Sequence, residues 1–157
     1  MAPLSGMGIS VDAPVGWDAR IYRREAAAEV RAAGRQGRNH GVLHAANFAL
    51  PVQRGDFGSG AVEVMGAENV LVTLVDHGPE SAGTPLFARQ GLPSRVELTE
   101  FSSDRLQRPL PGQGGAQFFF TSQGRGYCLY VVLGSLANRG RLVPQVNEVL
   151  GRIRIEP

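Results

Sequence analysis

The sequence predicts an α+β fold, with one antiparallel sheet of about six to seven strands and one or two helices packed on it. Several short segments alternate apolar and polar residues, as half-buried strands do. The 21 glycines and 10 prolines are typical of many turns between short strands. Near the end of the chain the apolar spacing changes to that of an amphipathic helix, which we expect to pack on the sheet.

The composition fits one domain that spans residues 1–157. An apolar fraction of 43% and a charged fraction of 19% exclude wholesale disorder. The net charge of +2 is too small to create a strong field for nucleic acid or anionic lipid. All 16 basic residues are arginine, which we interpret as the codon bias of a GC-rich genome, and we expect a bacterial source.

The first elements are predicted to be a hairpin and a surface helix. Residues 8–11 and 17–22 alternate around a turn at 12–16, which favours an N-terminal hairpin. Residues 23–39 are rich in Ala, Glu and Arg as far as Gly34. We therefore expect a short surface helix there, followed by a flexible loop.

Three further strands are predicted before the middle of the chain. Residues 42–50 alternate up to Pro51, and residues 61–65 form a short apolar run. Residues 69–76 are almost continuously aliphatic, so we expect a central strand that is covered on both faces.

The second half of the chain contains the clearest hairpin. A helical turn at 85–88 and a strand at 95–101 are predicted first. Residues 116–122 and 127–134 are two strand-like runs around a glycine-containing turn. Residues 142–153 then have helical apolar spacing, with Pro144 suited to the first turn.

Three of these features resemble the Mog1/PsbP-like fold. They are the motif Pro14-Val15-Gly16-Trp17 between two N-terminal strands, the late hairpin at 118–132 and the amphipathic helix at 143–153 directly after it. The resemblance covers most of the chain. It implies a protein that binds a protein partner or serves as an accessory subunit, and it brings no shared catalytic residues.

No motif in the sequence predicts a catalytic, cofactor or metal site. His40 and His44 would lie about 13 Å apart on a strand, which is too far for one ion to bridge. His77 does not lie at a spacing from these histidines that is typical of metal ligands. Because Asp76 and His77 are neighbours on a predicted strand, their side chains should point in different directions. There is no nucleophile elbow, and without lysine there is no P-loop. Cys128 lies in an apolar run and is expected to be buried.

Two segments suggest contact surfaces. Six arginines lie between Arg20 and Arg38, but little aromatic sequence accompanies them, so nucleic-acid binding is a minor alternative. The run Phe118-Phe119-Phe120 can be buried completely only if both faces of its strand are covered. An exposed member would mark a site for a partner or for self-association.

Two functions remain open from the sequence. The first is a non-enzymatic protein-interaction module, which should show a shallow surface with an exposed apolar patch. The alternative is a small-molecule-binding or enzymatic domain with a pocket between the sheet and the long loops 77–93 and 102–115. We expect a cytoplasmic protein without a membrane span, unless a leader peptide has been removed.

Overall fold

The structure is a computed structural model that describes residues 3–24 and 40–157. The predicted surface helix and flexible loop therefore lie outside the described residues, apart from Arg23 and Arg24. The strands are β1 (Leu4–Gly6), β2 (Ile9–Val11), β3 (Asp18–Arg23), β4 (Gly41–Ala46), β5 (Val70–Gly78), β6 (Gly114–Ser122), β7 (Arg125–Leu133) and β8 (Ile153–Ile155). The helix of the described residues is α1 (Arg139–Leu150).

The strands form two antiparallel sheets, which confirms the predicted α+β class. The larger sheet has five strands in the order β3-β4-β5-β7-β6, and the smaller has three in the order β1-β2-β8. The predicted central strand is β5, which lies in the middle of the larger sheet and is buried at almost every position. The predicted late hairpin is β6–β7, with Gln123 and Gly124 at its turn.

The larger sheet has two covered faces. The helix face packs against α1, β2 and β8 in a largely apolar core. Its strand residues include Leu43, Ala45, Val72, Leu74, Leu129 and Val131. The loop face packs against the long segments 47–69 and 102–113. Its strand residues include Val42, His44, Leu71, Thr73, Tyr130 and Val132.

The N-terminal hairpin differs from the prediction. Residues 8–11 pair not with residues 17–22 but with β1 on one side and β8 on the other. Residues 18–23 pair with β4 in the larger sheet. The turn at 12–16 therefore carries the chain from one sheet to the other, and alternation alone does not show which partner a strand takes.

Two predicted strands are 3-10 turns instead. Residues 61–65 form the turn Val62–Val64, and the carboxylate of Glu63 accepts the backbone N–H of Gly60 at 2.8 Å. Residues 95–101 contain the turn Leu98–Glu100, in which the Glu100 carboxylate accepts the Glu97 backbone N–H at 2.8 Å. In both segments a local side-chain bond to the backbone replaces strand pairing.

Smaller corrections concern where elements end. Strand β4 ends at Ala46 rather than residue 50, because the Asn47 side chain accepts the Val70 backbone N–H at 2.8 Å and turns the chain. The helix begins at Arg139, so Pro144 lies in its interior, and Ile153 belongs to β8. The predicted helical turn at 85–88 is confirmed as Pro85–Phe87. None of the helices within the described ranges is long and apolar enough to cross a membrane.

Candidate functional site

A row of polar side chains crosses the loop face of the larger sheet. Strand register places one residue from each strand side by side, in the order Arg20, His44, Thr73, Tyr130, Gln117. The three central members are almost completely buried. A buried polar group is costly unless it has a partner, so this row is the most unusual part of the core.

His44 connects this row to the loop above it. Its Nε2 lies 2.8 Å from the backbone oxygen of Asp56, and its Nδ1 lies 2.8 Å from Nε of Arg54. Because the guanidinium can only donate, Nδ1 must accept and Nε2 must carry the proton. Burial, together with the charge of Arg54, lowers the pKa of His44 to about 4. His44 is therefore a neutral imidazole that holds the loop at two points.

Asp56 anchors the same loop to the edge strand. One carboxylate oxygen accepts the Tyr22 hydroxyl at 2.7 Å, and the other lies 3.0 Å from Nε of Arg24. Burial raises the pKa of Tyr22 above its usual range, and the hydrogen bond to Asp56 adds to the shift. The tripeptide Arg54-Gly55-Asp56 therefore holds the loop in place through its side chains.

A cavity of about 420 Å³ lies between the loop face and the two long segments that cover it. Tyr130 and Val132 contribute from β7, and the other walls come from residues 56–62 and 106–113. Its lining residues are Asp56, Phe57, Ser59, Val62, Leu106, Gln107, Arg108, Gln113, Tyr130 and Val132. The cavity is thus built on strand β7 and bounded by loops.

Two buried polar groups line this cavity. Gln113 is 5% exposed; its Nε2 donates to the Val62 carbonyl at 2.8 Å, and its Oε1 has no hydrogen-bond partner among the described residues. The Tyr130 hydroxyl accepts the Gln107 backbone N–H at 2.7 Å, and its own hydrogen is free to point into the cavity. These two buried groups therefore offer a ligand one acceptor and one donor.

The charged groups that line the cavity are already paired. Asp56 is held by Tyr22 and Arg24, and Nη1 of Arg108 lies 3.2 Å from the Glu63 carboxylate. The lining thus presents little uncompensated charge to a molecule that enters.

The cavity coincides only in part with the predicted pocket between the sheet and loops 77–93 and 102–115. Loop 102–115 does form one wall, but the opposite wall is residues 56–62 and not loop 77–93. Loop 77–93 packs on β6 instead, where the Thr121 hydroxyl donates to the Phe87 carbonyl at 2.7 Å and the ring of Phe87 meets that of Phe119 edge-on. This contact covers Phe119, so the run of three phenylalanines is largely buried on both faces.

His40 and His77 come together at one end of the loop face. Extending the β4–β5 register places them opposite each other. Burial is the main cause that lowers the pKa of each, and the nearby His40 adds a smaller lowering of the pKa of His77. Nε2 of each has no hydrogen-bond partner among the described residues. Asp76 points to the helix face, 2.8 Å from Nε of Arg125, so it diverges from His77 as predicted. No group of three His, Cys, Asp or Glu in the described part of the chain could hold a metal ion.

Two further candidates from the sequence are Cys128 and the arginine-rich segment, part of which lies outside the described residues. Cys128 is buried, and burial raises the pKa of its thiol to about 11, so it is not an activated nucleophile. Of the arginine-rich segment, Arg20 pairs with Asp18 at 3.3 Å and Arg24 with Asp56, while Arg31, Arg35 and Arg38 lie outside the described residues.

A second cavity of about 400 Å³ lies against the edge strand, lined by Arg20, Ile21, Tyr22, Leu50, Val52 and Arg54. Its buried polar groups are bonded, since Tyr22 donates to Asp56 and Arg54 donates to His44 and to the Pro51 carbonyl. The described residues that line it include no buried acceptor without a hydrogen-bond partner, in contrast to Gln113 in the first cavity.

No family model matches the chain, and neither the curated proteins nor the solved structures contain a match. The resemblance to the Mog1/PsbP-like fold therefore stays a prediction.

Proposed function

We propose that this protein binds a small molecule in the cavity between the loop face and residues 56–62 and 106–113. One observation carries the proposal: Gln113 Oε1 is a buried acceptor without a partner among the described residues, and its side chain lines the cavity. Leaving such a group unpaired costs about 1–3 kcal/mol. A ligand that donates to it recovers this energy.

The dimensions and rigidity of the cavity support binding. Its volume of about 420 Å³ falls within the usual range for small-molecule sites. The floor is the buried strand β7, and the loop opposite is fixed by His44 and Asp56 through four polar contacts. Because paired side chains already fix this site against the sheet, ligand binding does not have to order it and avoids that entropic cost.

The lining favours binding over catalysis. Its described residues include no histidine or cysteine, and the one carboxylate, Asp56, is already engaged by Tyr22 and Arg24. A nucleophile would need a base within hydrogen-bond reach, and Ser59 has no such contact among the described residues. We therefore propose a ligand-binding protein.

The protein-interaction hypothesis stays a prediction. Single exposed apolar side chains are normal on protein surfaces, and the large ones that are exposed among the described residues belong to six separate segments of the chain. They are Leu4, Val15, Val52, Val64, Leu86 and Leu98.

The test is a titration of the labelled protein with benzamide and indole, followed by backbone amide NMR. We expect chemical shift changes at residues 56–62 and 106–113. Gln107 is exposed and lines the cavity, so Gln107→Trp should fill it from the rim and weaken binding at least about tenfold without disturbing the core.

Asp104→Trp is the matched control, because Asp104 is exposed on the same loop but does not line the cavity. It should bind both fragments as the unchanged protein does. Shifts confined to other regions, or equal binding by both tryptophan variants, would contradict the proposed function.

A further inference from the structure

We propose, building on this ligand-binding function, that the ligand is a neutral molecule with an apolar body whose amide-like group donates an N–H hydrogen bond to Gln113 Oε1. The two ends of the Gln113 amide are distinguishable, because the nitrogen must be the atom that donates to the Val62 carbonyl. The atom left open is then the oxygen. A ligand must therefore bring a donor to this position.

The Tyr130 hydroxyl supplies the complementary contact. Since it accepts the Gln107 backbone N–H, its hydrogen is the part that remains for a ligand. Tyr130 is 2% exposed, and burial raises the pKa of its phenol, so it remains a protonated donor. A ligand that carries both a donor and an acceptor, as primary amides, lactams and nucleobases do, satisfies both side chains.

The electrostatics of the lining favour a neutral ligand. Asp56 and Arg108 already have opposite charges beside them, so neither is free to compensate an ion that loses its hydration. Apolar contact area is provided by Phe57, Val62, Leu106 and Val132. An anion or cation would lose water without gaining a partner, whereas an aromatic or aliphatic body gains contact area.

Four probes of similar shape separate these requirements: benzamide, N,N-dimethylbenzamide, benzoate and ethylbenzene. Their dissociation constants are measured by the same amide NMR titration. Benzamide should bind at least about tenfold more tightly than each of the other three. It alone both lacks a charge and carries an N–H group that can donate to Gln113.

Gln113→Met keeps the length of the side chain and removes the acceptor. In this variant the advantage of benzamide over ethylbenzene should fall to about twofold or less. Any steric penalty of the two methyl groups in N,N-dimethylbenzamide should persist, which separates size from hydrogen bonding. Gln117→Met is the matched control, since Gln117 lies on the loop face but does not line the cavity, and it should keep the full preference for benzamide.

The outcomes distinguish the two proposals. If ethylbenzene and benzamide bind the cavity of the unchanged protein equally well, or benzoate binds best, the inference about ligand class is overturned and the binding function stands. If none of the four probes shifts the cavity residues, the binding function itself is wrong. Should Gln113→Met fail to fold, the comparison of probes on the unchanged protein decides the question alone.

Discussion

At the scale of single residues, His44 fixes a loop against a sheet by staying neutral. Its buried ring accepts from Arg54 and donates to the Asp56 carbonyl. A protonated ring would carry hydrogen on both nitrogens and could no longer accept from Arg54. Acid therefore opposes the contact that holds the cavity wall.

The first residue-scale prediction is a loss of stability in acid. The folded pKa of His44 is about 4, below the ordinary 6.5, so the unfolded chain binds a proton that the folded chain excludes. The contribution of His44 to the free energy of unfolding is complete above pH 6.5 and is lost as the pH falls towards 4. Between pH 7.5 and pH 5 we expect the free energy of unfolding to fall by about 2 kcal/mol from this group, measured by urea unfolding.

His44→Gln tests whether this residue is responsible. Glutamine does not titrate, so the variant should lose about 2 kcal/mol less than the unchanged protein over the same pH interval. The pKa values of His40 and His77 are also lowered, but both residues are present in each protein and cancel in the comparison. Equal losses in the two proteins would show that His44 is not the responsible group.

The two buried polar residues of the cavity, Tyr130 and Gln113, differ in how far the sequence predicts them. Tyr130 lies in an apolar run that predicts a buried strand, and a hydroxyl in such a run implies a partner. Its position beside His44 and Thr73 depends on strand register, which the sequence does not specify. Gln113 lies between glycines in a predicted loop, and nothing in that pattern indicates a buried amide.

At the scale of elements, the segment 53–60 is folded tightly by its glycines. Gly60 has φ +92°, and an added Cβ would lie 2.3 Å from the Gln53 carbonyl oxygen. Because that oxygen belongs to the backbone, it cannot move aside without displacing the segment. Glycine is therefore required at this corner of the cavity wall.

We predict that Gly60→Ala destabilises the protein by about 3 kcal/mol and weakens binding of benzamide. Gly83→Ala is the matched control, since Gly83 also has a positive φ, +73°, but an added Cβ would meet nothing within 4 Å. It should cost only about 1 kcal/mol and leave binding unchanged. Thermal unfolding and the benzamide titration measure both effects, and equal losses would show that the close contact is not decisive.

Elements with strong patterns were predictable and those with local bonds were not. The aliphatic run of β5 and the glycine turn of β6–β7 were confirmed, because burial and turn chemistry act within a few residues. The turns Val62–Val64 and Leu98–Glu100 were predicted as strands. Each is closed by one glutamate bonded to the backbone, and alternation of apolar residues does not reveal such a bond.

At the scale of the whole molecule, the two faces of the larger sheet differ in chemistry. The helix face is sealed by apolar residues of α1, β2 and β8, whereas the loop face contains the polar row and the cavity. The larger of the two apolar clusters thus lies on the helix face. The other face has room for polar groups that a ligand can satisfy.

Because the smaller sheet packs into the core on the helix face of the larger sheet, we predict that both sheets unfold together. Ile9 of β2 is fully buried in the same core as α1 and β5, so Ile9→Ala should cost about 3 kcal/mol and lower one cooperative transition. Val15→Ala, at a fully exposed position, should change stability by less than about 0.5 kcal/mol. Amide hydrogen exchange follows each sheet separately, and early exchange of β1, β2 and β8 alone would contradict a single domain.

The pairing of β2 with β8 has a consequence for synthesis. Ile9 leaves the ribosome long before its partner Ile155 has been made, because 146 positions separate the two residues in the chain. Until then β2 is an apolar strand with an unpaired edge, and such edges invite association with other chains. We therefore expect exposure to aggregation during translation until β8 has emerged, because only then can the smaller sheet close.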